Sequence, residues 1–210
     1  KDWIRQQNIQ LHAHNTETDN EVGNYCTKPR NIIQIIHNKR KTKDEVKPCA
    51  IGFWERKLRF HITDQVWLTP HLATKEVRLK ELQWKIMHNI YPTNILLHKM
   101  KVVDDNKCSI CRNEVDYIEH FFYVCTPANT FWRKVENYIH SLLGIQIKLS
   151  LCDVLFGMQN QSRISNSDIL KTVNKIILIG KMCISIAKKT RSISQIHLIF
   201  EYQMRYRKLC

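Results

Sequence analysis

The feature that most narrows what this chain can become is a quartet of side chains within residues 108–125. It reads Cys108-Ser109-Ile110-Cys111, eight residues, His120, four residues, Cys125. Two thiolates separated by two residues can aim at one ion from a tight turn, and a second pair from another element completes a tetrahedron of about 2.0–2.3 Å bonds. Soft sulfur with one imidazole selects zinc. Four protein donors leave no open position, so the spacing predicts one structural zinc ion held by Cys108, Cys111, His120 and Cys125. Asp116, with Glu119 three residues on, reads as a capping box that opens a helix; it puts His120 in the first turns and Cys125 at the end, before Pro127. The competing reading is a free CxxC near an unrelated histidine. The remaining cysteines, Cys26, Cys49, Cys152, Cys183 and Cys210, are scattered, and Cys183 falls on an apolar helical stripe as a core thiol.

A chain of 210 residues is long enough for one large or two small domains with a real core. Its hydrophobic share of 43% is too high for a disordered polypeptide. Glycine and proline occur five times each, which excludes collagen-like and Gly-rich-linker classes and gives no phosphate loop. The same scarcity would follow from AT-rich coding DNA, so it speaks only weakly about fold. The chain begins at Lys1 rather than methionine, as expected of a processed chain or a piece of a longer one. Lys1–Gln10 is polar and lacks the apolar stretch of a signal peptide. The nearest thing to a membrane span, Ile169–Ala187, carries Lys171, Lys175 and Lys181. Each central lysine costs ~2.5–3.5 kcal/mol in a bilayer, so no span is expected.

Periodicity is helical from Gly52 onward. Thr63 stands at a cap position with Ile62 and Trp67 placed as a hydrophobic staple. From Thr74 to Ile90, Leu79, Leu82, Ile86 and Ile90 form one apolar stripe, and Val77, Trp84 and Tyr91 form another nearly opposite. Two apolar faces predict a helix packed on both sides, inside its domain. Pro92 ends it and Thr93 starts a short helix to Met100. Thr126-Pro127 opens a helix through Phe131, Val135, Tyr138, Ile139 and Leu142 that Gly144 closes. Ser150 with Asp153 caps a short segment, Ser165 with Asp168 opens a long helix, and a last one runs from about Ser194 to Lys208. Strand signals are weak throughout. The expected fold is mostly α: an irregular helical bundle stapled by one CCHC zinc site, with a C-terminal helical extension. The expected domains are a basic, weakly ordered connector over 1–50, a helical zinc-binding domain over 51–145 and a helical tail over 146–210.

Laid out in this order, the residues resemble the C-terminal region of LINE-type non-LTR retrotransposon reverse transcriptases. The resemblance rests on Phe53-Trp54-Glu55-Arg56, Leu82-Gln83-Trp84-Lys85-Ile86-Met87-His88, Tyr91-Pro92-Thr93-Asn94, Leu97-His98-Lys99-Met100, the Cys108–Cys111 pair, Glu119-His120-Phe121-Phe122-Tyr123-Val124-Cys125, and Phe131-Trp132 with Val135. It is clear over 53–140 and extends plausibly to 208. It implies a parent endonuclease and RNA-directed DNA polymerase that copies its RNA at a nicked genomic site. By the same implication the segment here binds template RNA or target DNA within an intracellular ribonucleoprotein, in nucleus and cytoplasm. Its partners would be RNA or DNA and the rest of the polypeptide, with no membrane and no small-molecule substrate. Within the chain itself no catalytic residue is expected. The polymerase needs an aromatic-x-Asp-Asp turn to hold two metal ions, and the sole Asp-Asp pair, Asp104-Asp105, follows Val102 and Val103 and reads as a solvated loop. A protein-interaction domain, retained by a host from such an element and lacking polymerase activity, is the alternative.

Charge locates the candidate nucleic-acid contacts. Lys and Arg number 33 against 19 acids, for a formal net charge of +14, yet Asp104, Asp105, Glu114, Asp116 and Glu119 outnumber Lys107 and Arg112 around the quartet. An acidic module cannot be the main phosphate grip, because backbone affinity comes from Lys and Arg releasing counterions. The zinc site therefore reads as a staple, with Tyr117 and Tyr123 first as core or helix-surface residues and, as the alternative, as rings on which a base stacks. The cations gather in the run Lys39, Arg40, Lys41 and Lys43, and in the last stretch at Lys188, Lys189, Arg191, Arg205, Arg207 and Lys208. A polar stripe of Arg78, Lys85 and His88 on the 74–90 helix adds further candidates.

Overall fold

The computed structural model describes residues 49–59, 61–159, 164–190 and 195–207. Of the connector expected over 1–50, residues 1–48, with Lys39, Arg40, Lys41 and Lys43, lie outside the described residues, as do Arg191 and Lys208, while 49 and 50 open the first described helix. The described residues hold helices and no named strand; Lys107 and Val115 form a single antiparallel bridge.

Local chemistry sets the helix ends. The Ser150–Asp153 box forms: Ser150 Oγ accepts from the Asp153 amide at 3.2 Å and Asp153 Oδ2 accepts from the Ser150 amide at 2.8 Å, opening α6 (Leu151–Phe156). Gly144, at φ 67, closes α5 (Thr126–Leu143) in the left-handed conformation that glycine adopts without strain. Pro127 lies in the first turn of α5, but Cys125 rather than Thr126 precedes the helix. The long α7 (Ser167–Thr190) is capped by Asn166, whose Oδ1 accepts from the Asp168 and Ile169 amides, and not by Ser165. N-terminal to these lie α1 (Cys49–Leu58), α2 (Asp64–Ala73), α3 (Val77–Met87) and α4 (Asn94–Lys99); α8 (Ile196–Tyr206) follows α7.

The central helix is α7. It packs against α2, α3, α5 and α8, and from Val173 to Ala187 it is buried nearly all round. That corrects the expectation for α3. Leu79, Leu82, Gln83, Ile86 and Met87 face the core, but Val77 is 75% and Trp84 50% exposed, so α3 lies at the edge of the bundle with one face outward. The second apolar stripe breaks because Trp84 rests on His88 instead of a neighbouring helix, while Tyr91, beyond the helix, turns inward.

Buried polar groups fasten this packing. Trp54 donates to Met87 O at 3.0 Å, joining α1 to α3. Lys181, at the middle of α7, is fully buried; its ammonium meets Gln83 Oε1 and Leu155 O, and Gln83 Nε2 donates to the same carbonyl at 2.8 Å. Desolvation lowers the Lys181 pKa to about 7. Asn174 spans the Met158 backbone, accepting from its N–H and donating to its C=O. Gly180 on α7 lets Trp132 of α5 lie directly on the helix backbone, where a Cβ would stand 2.7 Å from the indole.

Candidate metal centre

A short loop and a distorted helix bring the quartet together. The loop closes on itself where the Cys108 amide donates to Glu114 O at 2.7 Å and the Asp116 amide to Asn106 O at 2.9 Å, on either side of the Lys107–Val115 bridge. Within it the Ile110 amide points at Cys108 Sγ, 3.4 Å away, and Arg112 turns the chain at φ 58. The second pair comes from a π-helical turn, His120–Val124, in which the Cys125 amide donates to His120 O at 2.8 Å. In an α-helix, residues five apart sit about 140° from one another around the axis. The i→i+5 turn adds a residue to that circuit and returns Cys125 to the side that His120 occupies. The four-residue spacer thus needs a π-turn, which the regular-helix reading did not supply.

The ligand atoms of Cys108, Cys111, His120 and Cys125 all lie within 4.8 Å of one another. Cys108 Sγ and Cys125 Sγ are 4.0 Å apart, and Cys111 Sγ and His120 Nε2 are 3.3 Å apart. Donors about 2.0–2.3 Å from a central zinc would be separated by roughly 3.3–3.8 Å, so these are close to tetrahedral edges. Cys108, His120 and Cys125 are buried and Cys111 is partly so. A hydrogen bond from Cys125, with the Cys111 and Ile110 amides, draws the Cys108 thiol down to about 5, while the shared proton and burial push Cys125 up. Thiolates are the form in which cysteines bind zinc.

The supporting contacts reach far along the chain. Trp132 donates to Phe122 O at 2.6 Å, pinning the middle of the π-turn to α5. Asp116 does not cap the helix leading to His120. Its Oδ2 instead accepts from the Asn94 amide at 2.6 Å, capping α4, and from Lys188 Nζ at 2.8 Å, while its buried Oδ1 has no hydrogen-bond partner. Lys188 also lies 4.6 Å over the Phe121 ring. Glu119 pairs with Lys57 of α1, whose ammonium stands 4.4 Å over the Tyr117 ring. Two of the five acids around the loop are thus neutralised by cations from α1 and α7. Nothing in local periodicity announces these partners, which lie 22, 62 and 72 residues from the acids they serve.

Residues 33–132 match the family model described as zinc-binding in reverse transcriptase. All four ligands fall inside that stretch, and what they hold is one structural zinc ion. A comparison with curated proteins gives no match. Most of α5 and all of α6, α7 and α8 lie beyond the matched residues.

The other candidate residues are dispersed. Arg78 is exposed on α3, Lys85 pairs with Glu81 at 2.6 Å, and the His88 ring sits between Trp67 and Trp84. Lys189 and Arg205 are exposed. Lys188 is turned inward on Asp116, and Arg207 Nε donates to both carboxylate oxygens of Glu76 at 2.9 Å, tying α8 to the start of α3. Tyr117 is exposed, whereas Tyr123 is half-buried with its hydroxyl donating to Leu149 O. Asp104 and Asp105 are exposed in the loop before Cys108, with Asp105 accepting from the Lys107 amide. No helix among the described residues is long and apolar enough to cross a membrane.

Proposed function

We propose that this chain is a non-catalytic segment from the C-terminal region of a LINE-type retrotransposon reverse transcriptase. It binds template RNA or target DNA in support of target-primed reverse transcription, and the upstream polymerase is its other partner. The observation that carries this reading is the closed Cys3His cluster inside a stretch that matches the zinc-binding family of reverse transcriptases. The zinc serves as a staple: it fixes the 108–125 loop against α4, α5 and α7, so that cations on the surrounding helices keep their places. The grip draws on exposed Arg78, Lys189 and Arg205, together with the basic run at Lys39, Arg40, Lys41 and Lys43, in a ribonucleoprotein of nucleus and cytoplasm.

The test is RNA and DNA affinity of the zinc-loaded chain as a function of salt. Binding through phosphates falls linearly on a log–log plot, and changing cations in both clusters flattens the slope. Binding that ignores salt, or none, refutes it. A second reading, a protein-interaction domain, draws on the outward row Leu198, Tyr202 and Tyr206 of α8, whose two tyrosines stack at 6.2 Å. It predicts salt-insensitive association with a protein and no affinity for nucleic acid.

A further inference from the structure

The outward face of α3 brings a half-exposed indole together with cations. Positions 77, 81, 84 and 88 recur at helical spacing along it, so Val77, Glu81, Trp84 and His88 share one side. Three rings run outward in a row: Trp67, packed against the core; His88, 5.2 Å from it; and Trp84, 4.5 Å from His88 and half exposed. The indole thus rests, tilted by 44°, against the His88 ring on its inner side, which limits the side-chain freedom lost when something covers the outer one.

Cations flank that stripe. Arg78 and Lys85 lie on the same stretch of helix, and Glu81 holds the Lys85 ammonium at 2.6 Å. The Glu81 carboxyl is lowered by Lys85 and, more weakly, by the charge of Lys189, so the last turn of α7 stands beside this face. Two cations from two helices, Lys85 and Lys189, therefore act on one acid, and Arg78 adds an exposed third on α3. A protein-docking face would continue the apolar surface outward, and here Val77 is the only other large apolar side chain on the stripe. A half-exposed indole backed by His88 and flanked by cations fits a polyanion with free π-faces, which is unpaired nucleic acid. In a duplex those faces are already stacked on one another.

We infer that the outward face of α3 is a stacking ledge for single-stranded nucleic acid, in which Trp84 receives a base while Arg78, Lys85 and Lys189 hold the adjoining phosphates. The inference rests on the nucleic-acid reading above and deepens it by naming the strand form and the residues.

The experiment is fluorescence anisotropy of the zinc-loaded chain with labelled 20-nucleotide single-stranded RNA, single-stranded DNA and the corresponding duplex. It compares wild type, W84A, W84F and the exposed pair R78Q/K189Q. Zinc content and far-ultraviolet circular dichroism check that each variant is folded. Loss of base stacking weakens single-strand affinity by roughly 5- to 150-fold in W84A, with duplex affinity within twofold of wild type and W84F close to wild type on both. R78Q/K189Q lowers the salt slope by about two, one for each phosphate contact removed. If wild type binds neither strand form, the nucleic-acid reading falls and takes the ledge with it. If wild type binds and W84A matches it, or loses both strand forms equally, the ledge alone is overturned. Unchanged RNA affinity with self-association lost in W84A, measured by sedimentation velocity, makes the face a contact between copies and likewise overturns it.

Discussion

Replacing Gly180 with alanine sets two opposite effects against each other in the middle of α7. On propensity alone, alanine in a helix interior is better than glycine by about 1 kcal/mol. At this position, however, the new Cβ would stand 2.7 Å from Trp132 Cη2, 2.8 Å from Cζ3 and 3.4 Å from Phe131 Cε1. Carbon atoms pack at about 3.5–4.0 Å, so the indole must move by roughly 1 Å. Trp132 is 1% exposed and hydrogen-bonded to Phe122 O, and it has nowhere to go without loosening that bond. Overpacking costs about 1–3 kcal/mol, and an unpaired buried carbonyl adds about 1 kcal/mol or more. The clash wins, and G180A is expected to be less stable than wild type by about 1–3 kcal/mol in urea unfolding of the zinc-loaded chain. Phe122 lies between His120 and Cys125, so competition with a chelator will also show weaker zinc binding. The decisive arm is a double-mutant cycle with W132F, whose smaller ring lacks Cη2 and Cζ3. A favourable coupling of about 1 kcal/mol or more is expected. A G180A protein more stable than wild type, or a cycle that is simply additive, refutes the reasoning.

Metal removal has a larger effect. Structural zinc contributes on the order of 10 kcal/mol in small domains, comparable with a whole domain's stability. C111S and H120A, or chelation, are therefore expected to unfold the region around α4 and α5; unchanged melting would sink the staple. Removing Asp116 leaves Lys188 partly buried and unpaired, so D116A is expected to cost about 3–5 kcal/mol in thermal unfolding. The double change D116A/K188M should recover part of that, and a double variant no better than D116A contradicts this pairing. Lys181 gives stability a pH dependence. Its folded pKa, about 7, lies below the ordinary lysine value of 10.5 that it has in the unfolded chain, so between these values the unfolded chain binds more protons. Stability therefore rises with pH through that window, and the cost of the buried charge is fully present below it. From pH 6.5 to 8.5 wild type is expected to gain about 2 kcal/mol relative to K181M in urea unfolding. Parallel pH profiles for the two proteins would show that Lys181 does not titrate there.

What the sequence disclosed was what short spacings encode. The four ligands, the Ser150–Asp153 box and the Gly144 turn each depend on residues within a few positions of one another, and each was legible. The π-turn was not, because a four-residue spacer alone does not say whether the chain or the ligand set yields. Asp116 misled for a related reason: its spacing to Glu119 suits a capping box, yet a buried carboxylate goes to the strongest donors within reach, here the Asn94 amide and Lys188 from distant elements. The position of α3 was misjudged because Trp84 can satisfy its apolar surface against His88 and a single turn of its own helix. Lys181 counted against a membrane span and gave no hint that it would be enclosed, since Gln83 and Leu155 O, its partners, come from α3 and α6.

The relation of α7 to the metal centre bears on where such a protein can be cut. Gly180 seats Trp132, Ser185 accepts from the Tyr91 hydroxyl at 2.9 Å, and Lys188 neutralises Asp116. All three belong to α7, and all three lie past residue 132, where the family-model match stops. A fragment trimmed to the matched stretch would retain every zinc ligand, lose most of α5 and expose the sides of α2 and α3 that pack on α7. A piece that keeps all three contacts runs at least through Lys188, so the matched stretch and the packed unit have different ends.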